Sequence, residues 1–192
     1  YYARTSQRFI SALTARTTEG RLYEVDMRLR PSGNQGPVAV SLASFEQYHV
    51  EKSWTWERMA LTRARILSGP AALVQKVEAV IARTLAAPKN QDTIMRDALE
   101  MRGKIGAQFP GKSIWDIKFA PGGLVDLEFI VQSLQLCHAE KADVLDQNTI
   151  KAFVKLNKAS VLSDDDTQKL LEATRFQHAL TQVLRIAMDG PF

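Results

Sequence analysis

The amino-acid sequence predicts a mainly α-helical fold of the α+β class, in which a β-hairpin near the start of the chain is followed by a helical bundle. Apolar and polar residues alternate over 22–30, which is the period of a strand. After Ser41, apolar residues recur at helical spacing. Finally, 45% of the 192 residues are apolar, which is enough to build a core.

The first two elements are a helix and the hairpin. Apolar residues follow helical spacing within 1–16, and the strand of 22–30 begins after the break at Gly20. A turn rich in glycine, proline and asparagine over 31–36 leads to a second short strand at 37–41. Two strands alone are marginally stable, so we expect this hairpin to pack against other elements.

The remaining elements are all predicted to be helices, six or seven in number. Capping residues, glycine and proline breaks and apolar stripes place them at 45–66 with a break near Ser53, from 70 with an apolar stripe as far as Leu85, 90–108, from 124 onward, 148–158, and 163–188. Because Gly69 and Pro70 end one helix and begin the next, we divide the chain there into two domains, 1–68 and 69–192.

The charge distribution and the hydropathy of the sequence indicate which kinds of ligand the protein can bind. The net charge is +4, and the whole excess lies in residues 1–65, which hold ten Lys/Arg against six Asp/Glu. A modest local excess suits a small polyanion such as a nucleotide, whereas a nucleic-acid binder needs a denser basic stripe. The alternative is a solvated surface with a chance asymmetry. No stretch is long and apolar enough for a membrane span, and we expect a cytoplasmic protein that binds neither membrane nor nucleic acid.

The polar face of the predicted first strand is the first candidate site. Alternation places Glu24, Asp26, Arg28 and Arg30 on one face. A carboxylate beside two planar cations suits a metal-bound nucleoside triphosphate, with Asp26 as metal ligand and the arginines on phosphates. One carboxylate cannot hold Mg²⁺ in a dedicated site, however, and a solvent-exposed face with ion pairs is the alternative.

Two acidic residues in a strongly apolar helix form the second candidate cluster. Asp126 and Glu128 are two positions apart, so on a helix they point about 200° away from each other and must have different roles. Buried carboxylates need Arg, Lys or N–H partners. We expect at least one of them to pair with an arginine of 58–65, such as Arg63, in the segment that also carries Glu57.

Three segments of the chain resemble one known family. They are YEVDMRLRPSGNQGP, WTWERMALTRARILSG and DIKFAPGGLVDLEFIVQ, in that order within residues 2–139, and they are similar to the glutamine synthetase adenylyltransferases. The resemblance implies a remnant of a nucleotidyltransferase-type domain followed by a helical bundle. RPSG at Arg30–Gly33 and WTWE at Trp54–Glu57 are more similar to the C-terminal, adenylylating half than to the deadenylylating half.

The resemblance also implies roles for residues. Asp26 matches the third metal-binding carboxylate, and Arg28, Arg30 and Arg65 match nucleotide or phosphate ligands. Glu57, Arg63, Asp126 and Glu128 are expected to be structural or interdomain residues. The implied cofactor is Mg²⁺, with ATP as substrate, and the implied partners are glutamine synthetase and a PII signal protein.

The family's first two carboxylates lie in a Gly-Ser-x-Asp-x-Asp motif, which this sequence does not contain. We therefore expect a fragment that cannot transfer AMP by itself. Two alternatives stay open: a non-catalytic helical module that docks glutamine synthetase or PII, and a deadenylylating half that acts by phosphorolysis.

Overall fold

The computed structural model describes residues 1–21, 24–111, 115–140 and 143–187, and in them the mainly α-helical prediction is confirmed. The described elements are α1 (Tyr2–Thr14), β1 (Arg16–Thr17), β2 (Gly20–Arg21), a 3₁₀ turn (Gly33–Gln35), α2 (Leu42–Glu51), α3 (Thr55–Leu61), α4 (Ala71–Ala86), α5 (Gln91–Gln108), α6 (Leu124–His138), α7 (Thr149–Lys158) and α8 (Asp164–Ala187). No helix within these residues is long and apolar enough to cross a membrane.

The chain forms two compact units, Tyr1–Glu57 and Arg58–Phe192. The predicted domains, 1–68 and 69–192, are defined as parts of the chain that fold independently. Compact units do not test independent folding, so this division stays a prediction.

The hairpin predicted for 22–41 is wrong in its described part, because residues 24–41 contain no strand. The two strands lie earlier and are two residues long, with Arg16 opposite Arg21 and Thr17 opposite Gly20. Residues 22 and 23 lie outside the described residues. Over 24–36, polar side chains bond to nearby backbone groups and so compete with strand pairing. The remaining structure of this segment is a series of turns.

The helical stretch predicted over 45–66 forms two separate helices, α2 and α3. The expected break near Ser53 is confirmed, and the Ser53 side chain donates to the carbonyl oxygen of His49 at 2.9 Å. The end of α3 comes earlier than predicted, at Leu61, where the Thr62 hydroxyl donates to the Met59 carbonyl oxygen at 2.7 Å. Arg63 and Arg65 therefore lie beyond the helix, in the segment that leads to α4.

The larger unit is built around α6, which packs against α4, α5, α7 and α8. Seven of the 15 residues of α6 are buried, which accounts for its apolar character. Its core is formed by Val131, Val144, Ala152, Phe153 and Leu156, and Phe153 is completely buried. Such a cluster of facing apolar stripes is the usual source of stability in a helical bundle.

A tight turn sets the start of α6. Gly122 has φ +75°, and a Cβ at Gly123 would lie 2.2 Å from the carbonyl oxygen of Ile117 and 2.8 Å from that of Ala120. Only glycine fits so close to two carbonyls. The motif Pro121-Gly122-Gly123 is thus explained by the geometry of this turn.

Candidate functional site

Asp26 and Arg28 form a closed pair in the smaller unit. The Arg28 backbone N–H and Nε donate to Asp26 Oδ1 at 2.9 and 3.0 Å, and Nη2 donates to Oδ2 at 2.7 Å. The side chains are 57% and 71% exposed, so the pair lies at the surface. The bond from the Arg28 N–H to the side chain two residues earlier is an Asx turn.

This pairing sets the electrostatics of Asp26. The side-chain hydrogen bond from Arg28 is the largest cause, followed by its backbone N–H, and together they lower the pKa of Asp26 from 3.8 to about 2. Asp26 is therefore a carboxylate at every physiological pH. Its charge is also already satisfied by Arg28, so any other cation must compete with that guanidinium.

Arg30 organises the loop that follows. Its Nη1 donates to the carbonyl oxygen of Met27 at 2.6 Å, Nε to that of Gly36 at 3.1 Å, and Nη2 to that of Asn34 at 3.4 Å. Three carbonyls on both sides of the turn are thus held by one guanidinium, whose donors form a rigid fork. In this structure Arg30 binds backbone, whereas the sequence suggested phosphate.

Glu57 is buried, 7% exposed, and it links α2 to the start of α3. It accepts from the Tyr48 hydroxyl at 2.7 Å and from the Trp54 backbone N–H at 2.8 Å. A glutamate that reaches back to the N–H at the start of its helix is half of a capping box. Burial raises the pKa of Tyr48, and the bond to Glu57 raises it further.

Asp126 and Glu128 have separate partners, as their helical spacing predicted. Glu128 accepts from Nη1 of Arg63, which is one of the arginines expected for this role. Asp126 instead accepts from Nε of Arg102, and its other oxygen accepts from the Gly122 N–H at 2.6 Å. Arg102 also donates to the Phe119 carbonyl oxygen at 2.9 Å. Asp126 therefore ties α5 to the turn before α6.

Arg65 lies in the larger unit, where it lines an open groove of about 430 Å³. More than half of the residues that line the groove are apolar, among them Leu61, Ile66, Ile81 and Leu145. The Gln147 side chain donates to the Ala64 carbonyl oxygen at 2.8 Å and so anchors the segment that carries Arg65.

A magnesium site needs more oxygen ligands than the described residues bring together. Among the described residues, no group of three or more His, Cys, Asp and Glu side chains is placed to hold a metal ion. Asp26 is one exposed carboxylate, and Mg²⁺ is usually bound by one or two carboxylates together with phosphates. Asp26 can therefore serve as one ligand of such a site, but the described residues do not form a complete site.

Comparison with known proteins decides the family. Residues 1–80 match the model of the glutamate-ammonia ligase adenylyltransferase family, and residues 96–190 match that of the GlnD PII-uridylyltransferase family. The chain is 45% identical, over its whole length, to the bifunctional glutamine synthetase adenylyltransferase/adenylyl-removing enzyme of Bradyrhizobium diazoefficiens. The chain matches one part of the enzymes that form the glutamine synthetase adenylyltransferase family. Similar proteins of the same name occur in Rhodopseudomonas palustris, at 45% identity over 100% of the chain, and in Xanthobacter autotrophicus, at 43% over 99%.

The chain spans about a fifth of the length of these adenylyltransferases, between 19% and 20%.

Sequence reasoning missed two residues of the site's framework, Tyr48 and Arg102. Tyr48 is nine positions before its partner Glu57, in another helix, so no local pattern connects them. Arg102 is 24 positions before Asp126. The need of Asp126 for a basic partner was a usable signal, but several arginines of the sequence met it equally well.

Proposed function

We propose that this chain is part of an enzyme that transfers AMP from ATP to a tyrosine of glutamine synthetase, and so controls nitrogen assimilation. The identity of 45% over the whole chain to enzymes named for this activity carries the proposal. In the reaction, the tyrosine oxygen loses its proton and attacks the α-phosphorus of ATP. The bond to the bridging oxygen then breaks, and pyrophosphate leaves.

In this proposal Asp26 and Arg28 act in the nucleotide site. Asp26 is exposed and ionised, as a ligand for Mg²⁺ must be. Arg28 can neutralise a nucleotide phosphate only when its guanidinium turns away from Asp26, so the closed pair is the resting arrangement. A planar guanidinium suits either anion, because carboxylate and phosphate both accept two parallel hydrogen bonds.

Arg30 has a supporting role beside Asp26 and Arg28, and Arg65 is assigned to the nucleotide separately. Arg30 fixes the backbone next to Asp26 and Arg28 through three carbonyl oxygens, and its remaining charge adds to the local positive potential. Arg65 is proposed to contact the nucleotide because its segment resembles that of the family.

The chain by itself is proposed to be inactive. Asp26 supplies one carboxylate, whereas two or three are usually needed to position the metal ions around a reacting phosphate, since each ion takes one or two. The other carboxylates must come from a part of the enzyme that this sequence does not contain. AMP addition is favoured over removal because Arg30–Gly33 and Trp54–Glu57 resemble the adenylylating half.

A second candidate function is a protein-docking module. The observation that favours it is the match of residues 96–190 to a family named for the uridylylation of PII. A helical unit shared by two enzymes with different target proteins can serve to hold a protein partner, here glutamine synthetase or PII. We place either function in the cytoplasm.

An assay with labelled ATP separates the two candidates. The complete enzyme, incubated with Mg²⁺ and glutamine synthetase, should label the synthetase on tyrosine, and this chain alone should give no label above background. The chain alone should nevertheless compete with the complete enzyme if it is a docking module. Labelling by the chain alone would contradict the proposed inactivity.

A further inference from the structure

The smaller unit carries an open groove of about 550 Å³ beside α2. The described residues that line it lie between positions 31 and 52, so the groove belongs to this unit alone. Small-molecule sites in proteins have volumes of about 300–1,000 Å³ and combine apolar walls with a few polar groups. The volume of this groove is within that range.

The lining of the groove combines apolar walls with hydroxyl groups. Two prolines, Ala39 and Val40 are apolar, and the hydroxyl groups belong to three serines and Tyr48. The Ser41 and Ser44 hydroxyl oxygens lie 2.8 Å apart, so this pair keeps one O–H that can donate to a ligand. The Tyr48 hydroxyl donates to Glu57 Oε1 and can therefore only accept from a ligand. The groove thus offers both kinds of hydrogen bond next to apolar surface.

Lys52 gives the groove a positive charge. It is exposed, and its side chain makes no ion pair or hydrogen bond with the residues that the structure describes. No Asp or Glu is among the described residues that line the groove. A cation in a groove without acidic residues attracts an anion. The groove therefore suits a ligand with an apolar ring, hydroxyl groups and a negative charge, which is the chemistry of a nucleotide.

The groove lies close to the backbone of Arg28. Ser32 lines the groove, and the next residue, Gly33, is packed against Arg28. A Cβ built on Gly33 would lie 3.5 Å from the Arg28 carbonyl oxygen. Because consecutive Cα atoms are about 3.8 Å apart, the groove wall and the Asp26–Arg28 pair are neighbouring parts of the smaller unit.

We propose that this groove holds the nucleoside part of the nucleotide, and that Lys52 binds the phosphate next to the ribose. The purine ring packs on the apolar wall, and the ribose hydroxyls bond to the serine and tyrosine hydroxyls. This inference rests on the proposed function, in which Asp26 and Arg28 meet the metal ion and the phosphates. Nucleotide binding by this chain can nevertheless be measured without AMP transfer.

Titration of this 192-residue chain with adenosine and with AMP, followed by NMR chemical shifts at low ionic strength, tests the role of Lys52. A charged hydrogen bond to the phosphate should make AMP bind on the order of tenfold more tightly than adenosine. Lys52→Gln should remove this preference and leave adenosine binding unchanged. Lys76→Gln is the matched control, because Lys76 is an exposed lysine of α4, and it should keep the preference.

Gln47→Trp tests the groove itself. Gln47 is exposed on α2 and lines the groove, so an indole at this position should fill the groove and abolish binding of both adenosine and AMP. Val50→Trp adds the same side chain at another exposed position of α2 and should leave binding unchanged. Thermal melts of both variants show whether each is folded.

Three results would overturn the proposal: adenosine binding that survives Gln47→Trp, a preference for AMP that survives Lys52→Gln, and no chemical-shift change with millimolar adenosine or AMP. The first two would mean that the nucleotide binds elsewhere on the chain, which leaves the proposed function standing. AMP transfer by the complete enzyme is a separate measurement, so its absence would contradict the proposed function even if the groove binds adenosine.

Discussion

Asp126 and Glu128 show how burial decides what a single ion pair contributes. The Asp126 and Arg102 side chains are 25% and 18% exposed, and Asp126 also accepts from the Gly122 N–H. The Glu128 and Arg63 side chains are 31% and 44% exposed. Water screens the second pair more strongly, so it contributes less to stability. The arginine that the sequence predicted as a partner is thus in the weaker of the two pairs.

Alanine substitutions should reveal this difference. Asp126→Ala leaves Arg102 and the Gly122 N–H without their acceptor and should lower the free energy of unfolding by about 2–3 kcal/mol. Glu128→Ala should lower it by less than about 1 kcal/mol. Urea denaturation of both variants measures the two values. Equal losses would contradict the ranking by burial.

The Asp26 carboxyl gives a prediction of pH dependence. Its pKa is lowered from 3.8 to about 2, so its small stabilising contribution is complete above about pH 4 and is lost as the pH falls to about 2. Arg28→Ala should return the pKa towards 3.8, as measured by NMR titration of the side-chain carbon. An Asp26 pKa that is the same with and without Arg28 would show that the pair does not persist in solution.

At the scale of elements, the turn before α6 depends on one glycine. A side chain at Gly123 would collide with backbone carbonyl oxygens, which cannot move aside as a flexible side chain can. In contrast, nothing lies within 4 Å of a Cβ built at Gly103, in the interior of α5. The two glycines should therefore respond in opposite directions to the same change.

Gly123→Ala should destabilise the chain by at least about 2 kcal/mol, because backbone must shift to admit the methyl group. Gly103→Ala should stabilise it by about 0.5–1 kcal/mol, since alanine loses less conformational entropy in a helix. Thermal melts of the two variants provide the measurement. A neutral Gly123→Ala would mean that the turn is less tightly packed than described.

The same scale shows how far the sequence determines the fold. Helices such as α5 and α7 were predictable because apolar spacing and an asparagine N-cap are local signals, and both caps are present, Asn90 bonded to Thr93 and Asn148 to Lys151. The absence of the strand expected over 24–30 was not predictable. Asp26 and Arg30 form hydrogen bonds with backbone groups two to six residues away, and these bonds replace the hydrogen bonds between strands. Alternation of polarity does not reveal such competition.

At the scale of the whole molecule, the sequence motifs identified the family, while the site could be predicted only in part. The pairing of Asp26 with Arg28 follows from their spacing of two residues, because this segment forms a turn and not a strand. The partners of Tyr48 and Asp126 depend on tertiary packing, which no single-sequence pattern specifies. The roles of Asp26, Arg28, Arg30 and Arg65 towards a nucleotide stay predictions.

The helical part should fold without the smaller unit. Residues 70–192 contain the core around Phe153, so we expect a cooperative urea transition. Residues 58–192 retain in addition the buried Met59 and the Arg63 pair with Glu128, so they should be more stable by about 3 kcal/mol. If both fragments, 70–192 and 58–192, unfolded in a broad, non-cooperative transition, the helical part would share one core with the smaller unit.

The most direct test of the central claim is AMP transfer by the complete enzyme with a single substitution, Asp26→Asn. This change keeps the shape of the side chain but removes the charge that a metal ligand needs, so we predict loss of AMP transfer to glutamine synthetase with an unchanged melting temperature. Asp165→Asn is the matched control, because Asp165 is also an exposed carboxylate paired with a neighbouring cation; it should retain full activity. Transfer at the normal rate by Asp26→Asn would contradict the account and leave Asp26 as part of a solvent-exposed ion pair.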